Sequence, residues 1–229
     1  MALLVAPAVS ATTIDFFTEG SLSSVGAYGN NLSHTEDGVT VTVTGWSVAD
    51  NGSGNYTTTN IRRYSTGLGM CNSGQNPNTG GCGTGPHATD NINRDEVFLV
   101  TFSAPVLVTE AFITAWAQDY DASYWGGGGS LNMSATTLAM LDAFGRFNSE
   151  FMGTANAGSS ARTVFLNSLE SPVSWLVFGV EPGEDNDKFK FKSISFTVPE
   201  EDTPEPGTLL LIGIGTALLA ARSRKRSHA

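Results

Sequence analysis

Residues 38–46 have the sequence Gly-Val-Thr-Val-Thr-Val-Thr-Gly-Trp, in which valine and threonine alternate. A period of two places the valines on one face of a β-strand and the threonines on the other. We therefore expect a half-buried strand, with the valines packed in a core and the threonines exposed to solvent. This is the clearest pattern in the chain, and it indicates an all-β fold.

Further strand candidates lie on both sides of this stretch, separated by breaks rich in glycine and asparagine. They are residues 12–17, 55–64, 96–102, 106–117, 131–141, 147–151, 173–180 and 189–198. Charged residues make up only 15% of the chain, which favours strands joined by turns over surface helices. Many short strands predict an all-β, two-sheet β-sandwich of jelly-roll type for residues 12–198. Residues 131–141 have a helical alternative, because they are rich in Ala, Met and Leu.

The last candidate strand has two special features. Its apolar positions change phase once, since they are Phe189, Phe191, Ile194, Phe196 and Val198. The buried set thus changes face near Lys192 and Ser193, which predicts a β-bulge. Lys188, Lys190 and Lys192 place charge along one side, which is typical of an edge strand protected against pairing with other chains.

The charge of the chain is divided unevenly between body and tail. Residues 1–206 contain all 22 acidic residues and 8 basic ones, a net charge of −14, whereas the last 23 residues carry +4. Nucleic-acid binding depends on Lys and Arg that neutralise phosphates, so an acidic body makes nucleic acid an unfavourable partner. Calcium or neutral glycans suit such a body better.

The N-terminal residues 1–11 form a short apolar run that ends in Val9-Ser10-Ala11. Small or permissive side chains occupy the positions that a signal peptidase reads, so we predict a signal peptide cleaved after Ala11. The run is shorter than usual and lacks a basic n-region, as expected of a truncated signal peptide. The alternative is an ordinary buried first strand.

The C-terminal region begins with an acidic, proline-rich linker at residues 199–207. The linker contains Pro204, Glu205 and Pro206. Each proline fixes its own φ and biases the preceding residue away from helix, so this segment is rigid and extended, as a protease substrate would be.

An uncharged stretch of 14 residues, 208–221, follows the linker. As a helix it would span about 21 Å, which is short for a bilayer core of about 30 Å. The basic residues that follow at once are Arg222, Arg224, Lys225 and Arg226. Positive charge holds that side in the cytoplasm, and long basic side chains extend the span. We therefore predict a short C-terminal transmembrane helix at 208–221 and a basic cytoplasmic tail at 222–229.

Pro204-Glu205-Pro206, the Leu/Ile/Gly/Ala stretch and Arg222-Ser223-Arg224-Lys225-Arg226 together resemble the PEP-CTERM sorting signal. The resemblance implies a partner protease of the exosortase type, which removes the tail in the membrane. It also implies an exported protein with a transient inner-membrane anchor, later found at the cell surface or outside the cell, in an exopolysaccharide or biofilm context. The alternative is a C-terminal anchor that no protease processes.

The chain has two cysteines, Cys71 and Cys82, which enclose a loop rich in Gly, Asn and Pro. We expect a disulfide, which would stabilise an exported fold by up to about 3 kcal/mol. Without a CxxC pair or further cysteines, zinc and thioredoxin-like sites are disfavoured. Residues 67–72, 87–91 and 96–102 are similar to a pattern in a family of exosortase-dependent surface proteins, which implies export and a β-sandwich body.

Catalysis has little support in the sequence, and we expect no enzyme activity. The three histidines are His34, His87 and His228, and no GxSxG, HExxH or nucleotide-binding fingerprint occurs. The less favoured alternative is a secreted hydrolase that uses a carboxylate pair such as Asp119 and Asp121.

Two kinds of ligand remain as hypotheses for the body. The oxygen-rich residues Asp90, Asn91 and Asp95, with residues 184–187, could bind calcium, or they are ordinary soluble turns. The aromatic residues Trp116, Tyr120, Tyr124 and Trp125 precede Gly126–Gly129 and could stack on sugars, or they belong to the core. The expected function is a structural or adhesive surface protein, with a carbohydrate-binding module as the alternative.

Overall fold

The computed structural model describes residues 11–22, 28–49, 52–71, 88–91, 94–115, 120–149, 161–166, 169–183 and 187–199. Every described residue lies within residues 1–199, the first of the two units into which the chain divides. The elements are β1 Thr12–Asp15, β2 Tyr28–Gly29, β3 Asn31–Glu36, β4 Val39–Ala49, β5 Thr57–Tyr64, β6 Gly67–Cys71, β7 Thr89–Asp90, β8 Arg94–Ala115, β9 Ala122–Gly127, a 3-10 turn Met133–Ala135, α1 Leu138–Asp142, β10 Phe147–Ser149, β11 Ala161–Phe165, β12 Val173–Val180 and β13 Lys188–Thr197. The all-β prediction is confirmed.

The alternating stretch that indicated the fold class lies in β4, and its prediction is confirmed. Val39, Val41 and Val43 are buried, while the threonines between them are half-buried. A two-residue turn joins β3 to β4, with Glu36 opposite Val39. Both turn residues, Asp37 and Gly38, have positive φ (48° and 76°), as the Asp-Gly turn of a tight hairpin requires.

The strands form one hydrogen-bonded network that closes on itself. The first half of β8 pairs with β4 and β12, and its second half pairs with β13 and β11. In the same way β5 pairs with β4 through Thr57–Thr59 and with β6 through Asn60–Tyr64. The expected sandwich of two separate sheets is thus replaced by two sheets that share β5 and β8.

Two apolar clusters fill the body. The larger one lies inside the closed sheet and has an aromatic centre, in which the ring of Phe191 lies 4.8 Å from Phe16, 5.2 Å from Phe98 and 5.0 Å from Phe178. The smaller one contains Trp125 and Trp175. Fully burying one such side chain stabilises the fold by about 1.5–3 kcal/mol, so both clusters contribute substantially.

Strand β13 corrects one prediction and confirms another. It pairs with β1, β6, β7 and β8, so the interpretation of residues 188–192 as a protected edge strand is wrong. The predicted bulge is confirmed, since the register with β8 shifts between Phe191 and Ser193.

Residues 131–141 follow their helical alternative, because they contain the 3-10 turn and most of α1. Among the described residues no helix is both long enough and apolar enough to cross a membrane. The predicted transmembrane stretch, residues 208–221, lies outside the described part of the chain.

Candidate functional site

The sorting residues themselves, from Pro204 to Arg226, lie outside the described residues, but the end of the body that leads to them is defined. Strand β13 ends at Thr197, and its Phe196 pairs with Thr12 of β1. The Thr12 hydroxyl donates to a carboxylate oxygen of Asp37 in the β3–β4 turn. The predicted cleavage site after Ala11 and the start of the linker at residue 199 therefore lie next to the paired ends of two neighbouring strands, β1 and β13.

The two loops predicted to bind calcium meet in the structure through Asn91 and Asp187. Asn91 Nδ2 donates to Asp187 Oδ2 at 2.9 Å, and the Asp187 N–H donates back to Asn91 Oδ1 at 3.0 Å. The second carboxylate oxygen of Asp187 accepts the Asp121 N–H at 2.8 Å. Nearby, Glu96 Oε2 accepts the Asp90 N–H at 3.0 Å. These buried carboxylates therefore serve as acceptors for the protein's own N–H groups.

A metal role finds no support in this cluster. No group of three or more His, Cys, Asp or Glu side chains in the described ranges could hold an ion. Asp95, in the first predicted loop, is fully buried. Residues 184–186 of the second predicted loop lie outside the described part. The observed contacts connect β7, β9 and β13, so we assign the Asn91–Asp187 pair a structural role.

The aromatic residues expected to stack on sugars are corrected by the structure. Tyr120, Tyr124 and Trp125 are buried, and Trp116 lies outside the described residues. The Trp125 Nε1–H donates to Asp142 Oδ1 at 3.1 Å, which anchors the indole against α1. The core alternative is therefore confirmed for these three side chains, because successive residues of β9 point into the two different clusters.

An open groove lies directly beyond these buried rings. It has a volume of about 310 Å³ and is lined by Gly126, Gly127, Gly128, Phe144, Phe147, Leu169, Glu170, Ser171, Pro172 and Val173. Phe144 is 54% exposed, although it is a large apolar side chain. The sequence signalled the glycines of this groove, whereas nothing in the pattern marked Phe144.

Arg146 and Asp142 form an ion pair at the end of α1. Arg146 Nη2 donates to Asp142 Oδ2 at 2.6 Å, and its guanidinium lies over the Trp125 ring at 5.9 Å. The hydrogen bond from Arg146 lowers the pKa of the Asp142 carboxyl. This pair is half-exposed, so it contributes little to stability.

Lys190 is the least expected group of the body. It is 1% exposed, and its Nζ lies 3.9 Å from the centre of the Tyr64 ring. Burial, and then repulsion from Arg62, lowers the pKa of Lys190 to about 8. The desolvation penalty therefore outweighs the attraction between the ammonium and the ring.

Other predicted site residues are placed only in part. Cys71 ends β6 and is buried, but Cys82 lies outside the described residues, so the disulfide stays a prediction. His34 is on β3, where its Nε2 lies 3.2 Å from Glu36 Oε2. His87 and His228 also lie outside the described residues.

Comparison with known protein families gives a match in the C-terminal tail. Residues 202–226 match the family model of the PEP-CTERM protein-sorting motif. No curated protein and no solved structure matches the chain. The matched segment contains the Pro-Glu-Pro motif, the apolar stretch and the basic residues in the predicted order. The chain therefore contains a PEP-CTERM protein-sorting motif at residues 202–226, which supports an exported protein that is sorted by an exosortase.

Proposed function

We propose that this protein is a surface or matrix protein whose body has a structural or adhesive role in an exopolysaccharide or biofilm. The match of residues 202–226 to the sorting motif carries the proposal, because that motif directs a protein to export and processing. The predicted signal peptide at 1–11 and the apolar stretch at 208–221 supply the two membrane steps that such a route needs. In this proposal the tail directs sorting, and the body performs the structural or adhesive role.

The proposal gives the body no enzymatic role. The described histidine, His34, is engaged with Glu36 on a hairpin strand. Asp121, one of the two carboxylates considered for hydrolysis, is buried beside Asp187. These placements support a binding or structural role over acid–base chemistry, which needs groups that can reach a substrate.

The sorting step is tested by the intact mass of the mature protein from its native host. We expect the mature form to lack both the first 11 residues and the basic residues of the tail, from Arg222 to Arg226. A strain without its exosortase, or a variant in which Pro204, Glu205 and Pro206 are all alanine, should keep the tail. Glu201→Ala is the matched control, because it changes the same acidic linker just outside the matched segment.

Two outcomes would contradict the proposal. One is a mature protein that still contains Arg226 in the presence of the protease. The other is normal tail removal in the strain that lacks it. The adhesive role is tested separately by deleting the gene, which should reduce the polysaccharide matrix retained by the cells.

A further inference from the structure

We propose that the groove beside Gly126–Gly128 binds a neutral polysaccharide chain, with Phe144 and Phe147 stacked on its sugar rings. This inference rests on the proposed function, which exposes the body to a polysaccharide matrix. It assigns the binding to residues different from the aromatic ones that the sequence suggested. The glycine strip, the walls and the charge of the groove each support it.

One side of the groove is a strip of three glycines, Gly126–Gly128. A Cβ on Gly127 would lie 2.4 Å from the Trp175 ring, and one on Gly126 would lie 2.8 Å from a methyl of Leu169. Gly127 therefore makes room for the Trp175 ring, and a side chain at Gly126 would have to displace Leu169. Trp175 Nε1 donates to the Gly128 carbonyl at 3.2 Å, which fixes the strip. A Cβ built on Gly128 meets nothing within 4 Å, so a ligand can approach the main chain closely at this position.

The walls carry two phenyl rings, each supported from behind by a buried aromatic ring. Phe144 packs edge-to-face against Trp175, with 5.0 Å between ring centres. Phe147 stacks on Tyr124 at 5.3 Å, with an interplanar angle of 22°. Because these supports restrict the phenyl rings, a ligand that stacks on them loses little side-chain entropy.

Exposure of Phe144 is unusual in this body. Among the described residues, the exposed large apolar side chains are Met140, Phe144 and Phe165. Phe144 is the one that lines the groove, in a concave site that also contains the polar groups of Glu170 and Ser171. Aromatic faces beside a few polar groups are typical of ligand sites, and this open groove has a volume of about 310 Å³, at the small end of the range for such sites.

The charge of the groove selects among ligands. A sugar ring offers an apolar C–H face for a phenyl ring and hydroxyls that can donate to the Glu170 carboxylate. The same carboxylate, on a body of net charge −14 up to residue 206, repels uronic-acid polymers and phosphate backbones. A second copy of the chain would need about 800 Å² per partner, far more than two phenyl rings supply. A neutral glycan therefore fits best.

The test measures binding of the mature protein to oligosaccharides of neutral β-glucan, mannan and galactan, with a uronic-acid polymer as the anionic probe. We expect saturable binding to at least one neutral glycan and none to the anionic polymer. Phe144→Ala should weaken that binding at least tenfold, and Phe144→Trp should retain it. Phe165→Ala is the matched control, since Phe165 is also exposed but does not line the groove.

A second variant protects the test against a folding defect. Nothing lies within 4 Å of a Cβ built on Gly128, so Gly128→Leu should fold and place its side chain in open space at the groove. We expect Gly128→Leu to abolish binding without changing the unfolding midpoint. Equal binding by the Phe144→Ala and Phe165→Ala variants would overturn the inference, as would absence of binding to every neutral glycan.

Two further readouts separate the competing explanations. Concentration-dependent dimerisation that Phe144→Ala abolishes would show that a second copy occupies the groove, which overturns the glycan inference. The intact mass of the same preparation reports tail removal. Normal processing without glycan binding contradicts only the groove, whereas glycan binding with a retained tail contradicts only the sorting proposal.

Discussion

Strands β4 and β13 have similar sequence patterns but different surroundings. Both alternate apolar and polar residues. The apolar residues of β13 and the valines at 39, 41 and 43 of β4 lie in the larger cluster, whereas Val48 near the end of β4 lies in the smaller one. The threonines on the other face of β4 remain half-buried, whereas Lys190, Ser193 and Ser195 of β13 are buried. Alternation in the sequence therefore determines which face of a strand enters the core. It does not determine whether the opposite face is also buried by other parts of the chain.

The pairing partners distinguish the two strands. β4 pairs with its hairpin neighbour β3, and with β5 and β8. β13 pairs with β1 from the other end of the body, and with β6, β7 and β8. The surroundings of β13 therefore depend on contacts distant in sequence. Substitutions in the two strands measure how much these contacts contribute to stability.

The largest expected effect is at Gly67, the first residue of β6, which pairs with β13. A Cβ on Gly67 would lie 2.7 Å from the Phe191 carbonyl oxygen, and its φ is +126°. Gly67→Ala should lower the free energy of unfolding by about 3 kcal/mol, because it adds both steric overlap and backbone strain. In the β3–β4 turn, Gly38→Ala meets nothing within 4 Å and should cost about 1 kcal/mol. Urea denaturation of both variants measures the difference, and equal losses would contradict the close packing at β13.

The sequence predicted the elements whose patterns are local. β4 and β12 were found because their apolar residues follow a clear pattern within one segment. β8 was predicted as two strands, at residues 96–102 and 106–117. In the structure the strand continues through Pro105, where the register with β12 shifts between Val173 and Trp175. Closure of the sheet was likewise not predictable, since it depends on long-range pairing.

The same distinction applies to the candidate sites. The sorting signal at Pro204–Arg226 was predictable because it is a linear motif whose order of residues is itself the signal. The buried state of Tyr124 and Trp125 was not, because β9 lies between two clusters and has no alternating pattern. Exposure of Phe144 depends on where α1 ends against Trp175, and no local pattern encodes that contact.

The second prediction concerns the charge buried on β13. Lys190 has a pKa of about 8 in the folded protein, against 10.5 for an ordinary lysine. Between these values the unfolded chain binds more protons, so stability rises with pH. Below pH 8 both states are charged and the penalty is complete. Lys190→Met should therefore raise the free energy of unfolding by about 2 kcal/mol at pH 7, and by less above pH 8.

The measurement is urea denaturation at pH 6 to 10 for the natural protein, Lys190→Met and Lys192→Met. Lys192 is the matched control, because it is on the same strand but only half-buried. The control should keep the rise in stability above pH 8 that Lys190→Met loses. If Lys190→Met destabilised the protein at pH 7, the attraction of the Tyr64 ring would outweigh desolvation, and burial would be the wrong cause.

The smallest expected effect compares two cross-strand hydroxyl pairs. Thr13 pairs with Ser195 on β13 and their hydroxyls lie 2.7 Å apart, whereas Ser33 pairs with Thr42 on β4 at 3.1 Å. Ser195 is 4% exposed, so water replaces its hydrogen bond poorly, and Ser195→Ala should cost about 1 kcal/mol. Ser33 is half-buried, and Ser33→Ala should cost less than about 0.5 kcal/mol.

A double-mutant cycle with Thr13→Val and Ser195→Ala isolates the β13 pair, and Thr42→Val with Ser33→Ala isolates the β4 pair. We expect the larger coupling energy on β13, since its serine is shielded from water while its partner comes from a strand 182 residues away in sequence. Equal coupling energies would mean that water reaches the hydroxyl pair on β13 as readily as the pair on β4. The contrast between the two strands would then reduce to the environment of Lys190, and the pH dependence of its variant would be the remaining evidence for it.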